Sequence, residues 1–216
     1  MLPMINILIH ALGETLLMVS VSAIGACFFG LILGLALELT KPHHILPHPQ
    51  LHHFLEIIIN MGRSIPFIIL LVAIIPITRF LVGTSIGTVA AIVPLTLGAI
   101  PLSARLIESA LMELPKGLLD AANAMGLNSW QIITKVLIPE ALPGILNSIT
   151  MTLVTLVNYS AMAGTIGGGG LGDVAIRYGY QRFDFKMMFL TVCILVLLVQ
   201  LIQSFGHYFV KKCDHR

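Results

Sequence analysis

From Thr15 to Leu37 the chain runs for 23 residues without a charged side chain, and comparable runs recur from Phe80 to Ala104, Ala141 to Gly172 and Met187 to Val210. An α-helix rises about 1.5 Å per residue, so about 20 such residues cross the hydrocarbon core of a bilayer. No water is available there to bond N–H and C=O groups, and a helix pairs them within the run itself. With 57% hydrophobic and 10% charged residues and a mean hydropathy of +0.97, the 216-residue chain is too apolar for an ordinary soluble domain. The reading is an all-α, polytopic membrane protein with five spans, near residues 15–37, 54–78, 80–104, 141–163 and 187–210. Residues 1–12 form a short N-terminus and 211–216 a tail. Met1 to Leu12 hold no Lys or Arg, so the basic start of a secretory signal is missing and the first span is expected to be retained.

Within the spans a few residues stand out. Ala26, Gly30 and Gly34 repeat every four positions, a stripe that lets another helix approach closely. Arg63 lies inside the second span, in Gly62-Arg63-Ser64-Ile65-Pro66-Phe67. A cation at that depth is costly and faces a bundle interior with a partner, which makes Arg63 a functional candidate. Its counter-charge is Glu56, seven residues earlier on about the same helix face, or an acid on a neighbouring helix; contact with a solute is the other reading. Pro66 removes a helix hydrogen bond and predicts a kink. The fourth run outlasts one crossing, and its surplus is glycine-rich, with Gly164, Gly167, Gly168, Gly169, Gly170 and Gly172. No Gly-Lys-Ser/Thr follows, so this is no phosphate loop, and a flexible or re-entrant segment beside a pathway is expected. Tyr178, Tyr180 and Phe183 suit a membrane interface.

Several functions are excluded. A net charge of +2 with scattered basic residues makes no nucleic-acid surface. Cys27, Cys193 and Cys213 are too widely spaced for a disulfide frame or a zinc site. The connector 40–53 holds five of the eight histidines, His43, His44, His48, His52 and His53, but no Cys or carboxylate, and no metal site is assigned. No Walker-type Gly-x(4)-Gly-Lys-Ser/Thr occurs, so the chain has no nucleotide site of that kind. Glu14, Glu38, Glu56 and Glu108 fall near span ends and form no proton relay.

Leu114 to Pro139, within the connector 105–140, is the one long polar-containing segment between apolar runs. Pro115 suits a first helical position and Gly126 the position past a helix end, where φ is positive. Leu118, Ala121, Ala122 and Met125 recur between them at helical spacing as a narrow apolar face. Asn128 with Gln131 reads as a capping pair for a second helix, whose Trp130, Ile133 and Leu137 share a stripe before Pro139 stops it. Five crossings put the termini on opposite sides. One side carries Lys41, Lys116, Lys135, Lys211, Lys212 and Arg216, the other Arg79, Arg177, Arg182 and Lys186. The richer side, with this connector and the tail, is expected to be cytoplasmic, and the N-terminus outside.

Asp120-Ala121-Ala122, then Gly126, then Val136-x-Ile138-Pro139 resemble the E-A-A-x(3)-G-x(9)-I-x-L-P loop of ABC importer permeases, with Asp for Glu, Val for Ile and Ile for Leu. Arg63 through Pro76, Gly83-Thr84-Ser85-Ile86-Gly87, Ala91-Ile92-Val93-Pro94-Leu95-Thr96 and Tyr159-Ser160-Ala161-Met162 extend the resemblance to the permease subunits of methionine ABC importers, over residues 13–209 as one type I transmembrane domain. The resemblance implies a type I ABC importer permease fold. It implies a cytoplasmic coupling helix, from Leu118, Leu119, Asp120, Ala121, Ala122, Met125 and Gly126 with Ile138 and Pro139, that docks in a groove of a separate ATPase. It also implies a second copy of this chain, two ATPase subunits that bind ATP and Mg, and a substrate-binding lipoprotein delivering D- or L-methionine from outside a bacterial inner membrane. On this reading the chain is no enzyme and holds no cofactor. Ser64, Phe67, Tyr159 and Met162 are the candidate pathway residues, a methionine side chain being an adaptable hydrophobic plug. The same architecture carrying another small solute, and a stand-alone channel or secondary carrier, are the alternatives.

Overall fold

In a computed structural model the chain folds as helices, with no strand among the described residues, which are 2–42 and 45–213, with backbone alone at Leu2, Pro3 and Lys116. His43, His44 and Arg216 from the sequence reading, and the Lys116 side chain, lie outside the described residues. Helix α1 (Leu2–Leu39) is 38 residues long, about 57 Å at the α-helical rise. It starts well before the expected span 15–37 because nothing in residues 2–14 breaks a helix, and the one glycine there, Gly13, is a mild cost in open space.

Helix α5 (Thr88–Met112) lies along α1. Gly25 faces Thr96, Gly30 faces Ser103, and a Cβ on Gly34 would sit 2.7 Å from the Ala104 carbonyl oxygen. The stripe Ala26, Gly30, Gly34 thus faces protein, as its spacing predicts. Helix α8 (Ile138–Gly164) completes the core, in which Met18, Ala23, Leu95, Ala99, Leu156 and Val157 are buried. Helix α10 (Phe185–Cys213) packs on α8 with Gly206 against Thr150. Its Val196, Leu197, Leu201 and Phe205 stay exposed, a face that lipid tails solvate as well as protein does.

Among the described residues four helical stretches are long and apolar enough to cross a membrane, and a bent pair makes a fifth candidate. The pair is α2 (Pro49–Ser64) and α3 (Phe67–Ala73), which meet at 99°. The stretch expected as one span over 54–78 is thus a helix pair bent at a sharp corner and followed by α4 (Ile75–Val82). Pro66 sets the corner by excluding its predecessor from the helical region, and Ile65 has φ −81° and ψ 121°. The next crossing is displaced too. Gly83 at φ +82° and Gly87 at φ +102° turn the chain, so the helix covers 88–112 instead of 80–104. Arg105 and Glu108 fall inside it because they are paired there.

A further expectation is corrected. Helix α7 (Ser129–Ile132), a π-helical turn (Ile133–Leu137) and α8 continue as one helical stretch, so Pro139 stops nothing and the crossing begins well before residue 141. Pro139 falls in the first turn of α8, just after the wide π turn in which Ile138 N–H reaches Ile133 C=O. A missing N–H is least costly at such a place. The glycine-rich segment is a largely buried turn. It leads into α9 (Gly170–Val174) and a second π turn (Ala175–Tyr180). Gly164 is in backbone contact with Gly172 and Asp173, leaving no room for a Cβ. Gly170 N–H donates to Glu14 Oε2 at 2.7 Å, Leu171 N–H to Thr15 Oγ1 at 2.9 Å, and Gly87 N–H to Gly167 O at 2.9 Å.

Candidate coupling surface and pathway

Helix α6 (Lys116–Ala124) stands between α5 and α7. Pro115 precedes the first helical residue instead of occupying it. At the other end Gly126, at φ +74°, donates to Asn123 O at 2.9 Å while Leu127 N–H donates to Ala122 O at 3.3 Å. These two bonds satisfy the last carbonyls in a Schellman arrangement. Asn128 Oδ1 then accepts Gln131 N–H at 2.9 Å and Gln131 Oε1 accepts Asn128 N–H at 3.0 Å, the predicted capping box.

The predicted apolar face of α6 divides in two. Ala122 is 1% exposed and packs with Ile107, Leu111, Ile132 and Leu137, whereas Met125 is 70% exposed. Leu118 and Leu119 are half-buried, Asp120, Ala121 and Gly126 exposed, Ile138 half-buried and Pro139 exposed. Trp130 does not share the stripe of the buried Ile133 and Leu137: it is 72% exposed. Met112, also exposed, joins Trp130 and Met125 as large apolar groups left uncovered at this end. The sequence reading missed Met112 and Trp130 as surface groups, although each adjoins the polar segment 113–129. A groove of about 750 Å³ separates α6 from the end of α1, lined among others by Glu38, Lys41, Leu111, Leu119 and Asp120.

Beneath this surface runs a charge network that joins two i,i+3 pairs, Glu38 with Lys41 and Arg105 with Glu108, across three helices. Glu108, 2% exposed, accepts a hydrogen bond from Arg105 at 2.6 Å and pairs with Lys41 at 3.0 Å. Lys41 also meets Glu38 at 2.5 Å, and Arg105 reaches Glu56 at 3.6 Å. Burial pulls the Lys41 ammonium down, but the hydrogen bonds and charges of Glu38 and Glu108 outweigh it and hold its pKa above the ordinary lysine value. His52 Nδ1 lies 3.0 Å from Leu37 O, and His48 caps α2 by accepting Leu51 N–H at 3.3 Å. Among the described residues no group of three or more His, Cys, Asp or Glu is placed to hold a metal.

The corner between α2 and α3 makes a cavity of about 170 Å³, lined by Gly62, Arg63, Ile65, Phe67, Leu70, Gly98, Leu102 and Tyr159. Phe67 and Tyr159 stack in it, ring centroids 4.1 Å apart and planes 2° from parallel. Arg63, Phe67 and Tyr159 are thus brought together. Ser64 is not among the lining residues, and its Oγ donates to Asn60 O at 2.8 Å. Met162 is exposed near the end of α8, also outside the cavity. Glu56 does not pair with Arg63, since it faces Arg105 from α5.

Residues 26–215 match the family described as binding-protein-dependent transport system inner membrane component. A probable D-methionine transport system permease protein of Vibrio cholerae is 57% identical over 211 residues, 98% of this chain and 94% of that protein. The D-methionine transport system permease protein of Escherichia coli K12 is 52% identical over 162 residues, 75% of each chain. Among solved structures, a chain of the MetNI methionine ABC transporter in inward facing conformations superposes with a TM-score of 0.97 at 48% identity, covering 99% of both chains. An amino acid ABC transporter shares the fold at a TM-score of 0.74 and 19% identity, over 97% of this chain and 93% of that one.

Proposed function

This chain belongs to the binding-protein-dependent transport system inner membrane components, and on that premise we infer that it is the membrane-spanning permease subunit of a methionine ABC importer. It is a transporter subunit and not itself an enzyme; ATP is hydrolysed by a partner. The observation that carries the substrate is the identity of 57% over 98% of the chain with a probable D-methionine permease. Two copies of the chain pair with ATPase subunits that hold ATP and Mg, and a binding lipoprotein delivers methionine at the opposite face. The α6 end lies in the cytoplasm and the first residues of α1 outside, as the excess of Lys and Arg on the α6 side favours.

The coupling runs through α6. Leu118, Leu119, Asp120, Ala121, Met125 and Gly126 meet the ATPase, while Ala122, with Ile138 and Pro139 behind it, ties the helix to the spans. Support for this division comes from the exposure of Ala121 and Met125 and the burial of Ala122 in one cluster with Ile107 of α5 and Leu137 of the turn before α8. On this reading a displacement of α6 is passed through Ala122 to α5 and α8. Closure of the ATPase dimer on ATP draws the two α6 helices together, the spans rock open toward the binding protein, and hydrolysis resets them. Ser64, Phe67, Tyr159 and Met162 border the route.

The test is uptake of labelled methionine by vesicles holding the permease with and without its ATPase, in the presence of competing amino acids. Uptake that requires the ATPase and is suppressed best by unlabelled methionine is expected. Uptake that persists without ATP would make the chain a carrier or channel, and suppression by another amino acid alone would change the substrate.

A further inference from the structure

We propose that Arg63 is the anion-binding group of the transport route, its guanidinium taking the α-carboxylate of the amino acid in transit while the stacked Phe67 and Tyr159 rings receive the side chain. The proposal rests on the methionine-importer reading above and names what that reading leaves open, the group that recognises the substrate inside the membrane.

Three observations carry it. First, Arg63 is exposed on the last turn of α2 and, among the described residues, meets no acid within ion-pair distance; Glu56, the acid nearest in sequence, lies 3.6 Å from Arg105 instead. A guanidinium without a fixed partner in a helix pair apolar enough to cross a membrane is costly, and a carboxylate in transit supplies that partner. Second, the 99° corner at Ile65 and Pro66 makes a cavity that Arg63 lines together with the two rings. A cation and an apolar wall on one cavity match the two ends of an apolar amino acid. Arginine offers a carboxylate two parallel N–H donors, and a thioether packs favourably on an aromatic ring. Third, the cavity's other walls are cut back to glycine. A Cβ on Gly98 would lie 3.1 Å from the Phe67 ring, and one on Gly62 would lie 2.7 Å from Pro101. Side chains at either position would push the walls into the space beside Arg63.

The experiment uses the permease–ATPase complex without binding protein, with Cys27, Cys193 and Cys213 replaced by serine and Ile65→Cys as a reporter in the cavity; Leu102→Cys is a second reporter. The rate of modification by a methanethiosulfonate reagent is measured with methionine or with methioninamide, which lacks the carboxylate. Methionine is expected to slow modification several-fold and the amide to leave it unchanged. R63Q abolishes the protection and R63K, which keeps the charge but not the fork, retains part of it. In vesicles R63Q lowers methionine uptake at least tenfold. Equal protection by acid and amide, no protection by either, or protection that survives R63Q overturns the proposal. So does an R63Q chain that no longer assembles as a dimer while R63K binds methionine as tightly as the unaltered protein, because Arg63 then serves subunit pairing. Uptake retained by R63Q sinks this proposal alone, whereas a wild-type complex that moves no methionine sinks the functional reading beneath it.

Discussion

The two ends of the bundle use glycine for opposite reasons. In the turn between α8 and α9, Gly164 is there for space, since a Cβ would strike the backbone of Gly172 and Asp173. Past α6, a Cβ on Gly126 would meet nothing within 4 Å, and its φ of +74° is the whole reason for glycine. The first region is complete within the chain: Glu14 and Thr15 of α1 meet the N–H groups that open α9. The second leaves Met112, Met125 and Trp130 exposed. Large apolar groups clustered on one surface mark an interaction site. One end holds the fold together, and the other is shaped for something the chain does not contain.

The sharpest way to break this contrast is to add the same side chain at both glycines. Gly164→Val inserts atoms where backbone from two elements already touches, so about 3 kcal/mol or more of stability is expected to be lost. The yield of monodisperse protein in detergent reads this directly, and a normal yield would mean the turn is looser than its contacts. Gly126→Val costs only the strain of a β-branched residue at positive φ, about 1–3 kcal/mol. That variant is expected to be recovered and assembled, yet to uncouple: ATP hydrolysis continues while methionine uptake falls about tenfold. Undiminished uptake would remove α6 from the coupling route.

Cysteine cross-linking divides the α6 face itself. Ala121→Cys and Met125→Cys project outward and are expected to capture the ATPase subunit, whereas Ala122→Cys, 1% exposed, captures nothing. Equal capture from all three positions would mean that α6 detaches from the spans in the complex. A smaller effect is expected at the closed end. Glu14→Gln keeps an acceptor for Gly170 N–H but removes the charge from the bond, a loss of about 1 kcal/mol measurable as a lower thermal midpoint. A loss as large as that of Gly164→Val would make Glu14 a keystone and not one contact among several.

What could be read from the residues themselves follows the range of the interaction concerned. The Schellman turn at Gly126, the capping box of Asn128 and Gln131, and the close-packing stripe of Ala26, Gly30 and Gly34 each depend on neighbours within one or two helical turns, and all were legible. The all-helical, multi-span class was legible for the same reason. Charge counting set the span's end too early, because Glu108 is carried inside α5 by its local pair with Arg105 and by Lys41 from the end of another helix, and only the first of these could be read from spacing. Proline was read correctly in kind at one position and wrongly at the other. Pro66 turns the chain by 99° where a kink was expected, and Pro139 is carried by a π turn where a stop was expected. Of the candidate route, Phe67 and Tyr159 meet face to face, but nothing in their separation of 92 positions fixes which neighbours share that cavity, and Ser64 and Met162 fall outside it.

The weakest effect expected tests whether the open end is open only at its surface. Below α6 the Lys41 ammonium is held above the ordinary lysine range by Glu38 and Glu108, which outweigh the opposing effect of burial. A raised pKa in the folded state stabilises fully below the unfolded value, about 10.4 for lysine, and that contribution fades only as pH climbs through the folded value. Between about pH 6 and 9 the group is charged in both states and contributes no slope. The difference in thermal midpoint between the unaltered chain and Lys41→Met is therefore expected to be flat over that window and to shrink only above about pH 10. A difference that instead changes near neutral pH would mean that water reaches the network and a histidine or carboxylate beside it titrates. The charges under α6 would then belong to the mobile coupling surface, and not to the rigid body that the surface drives.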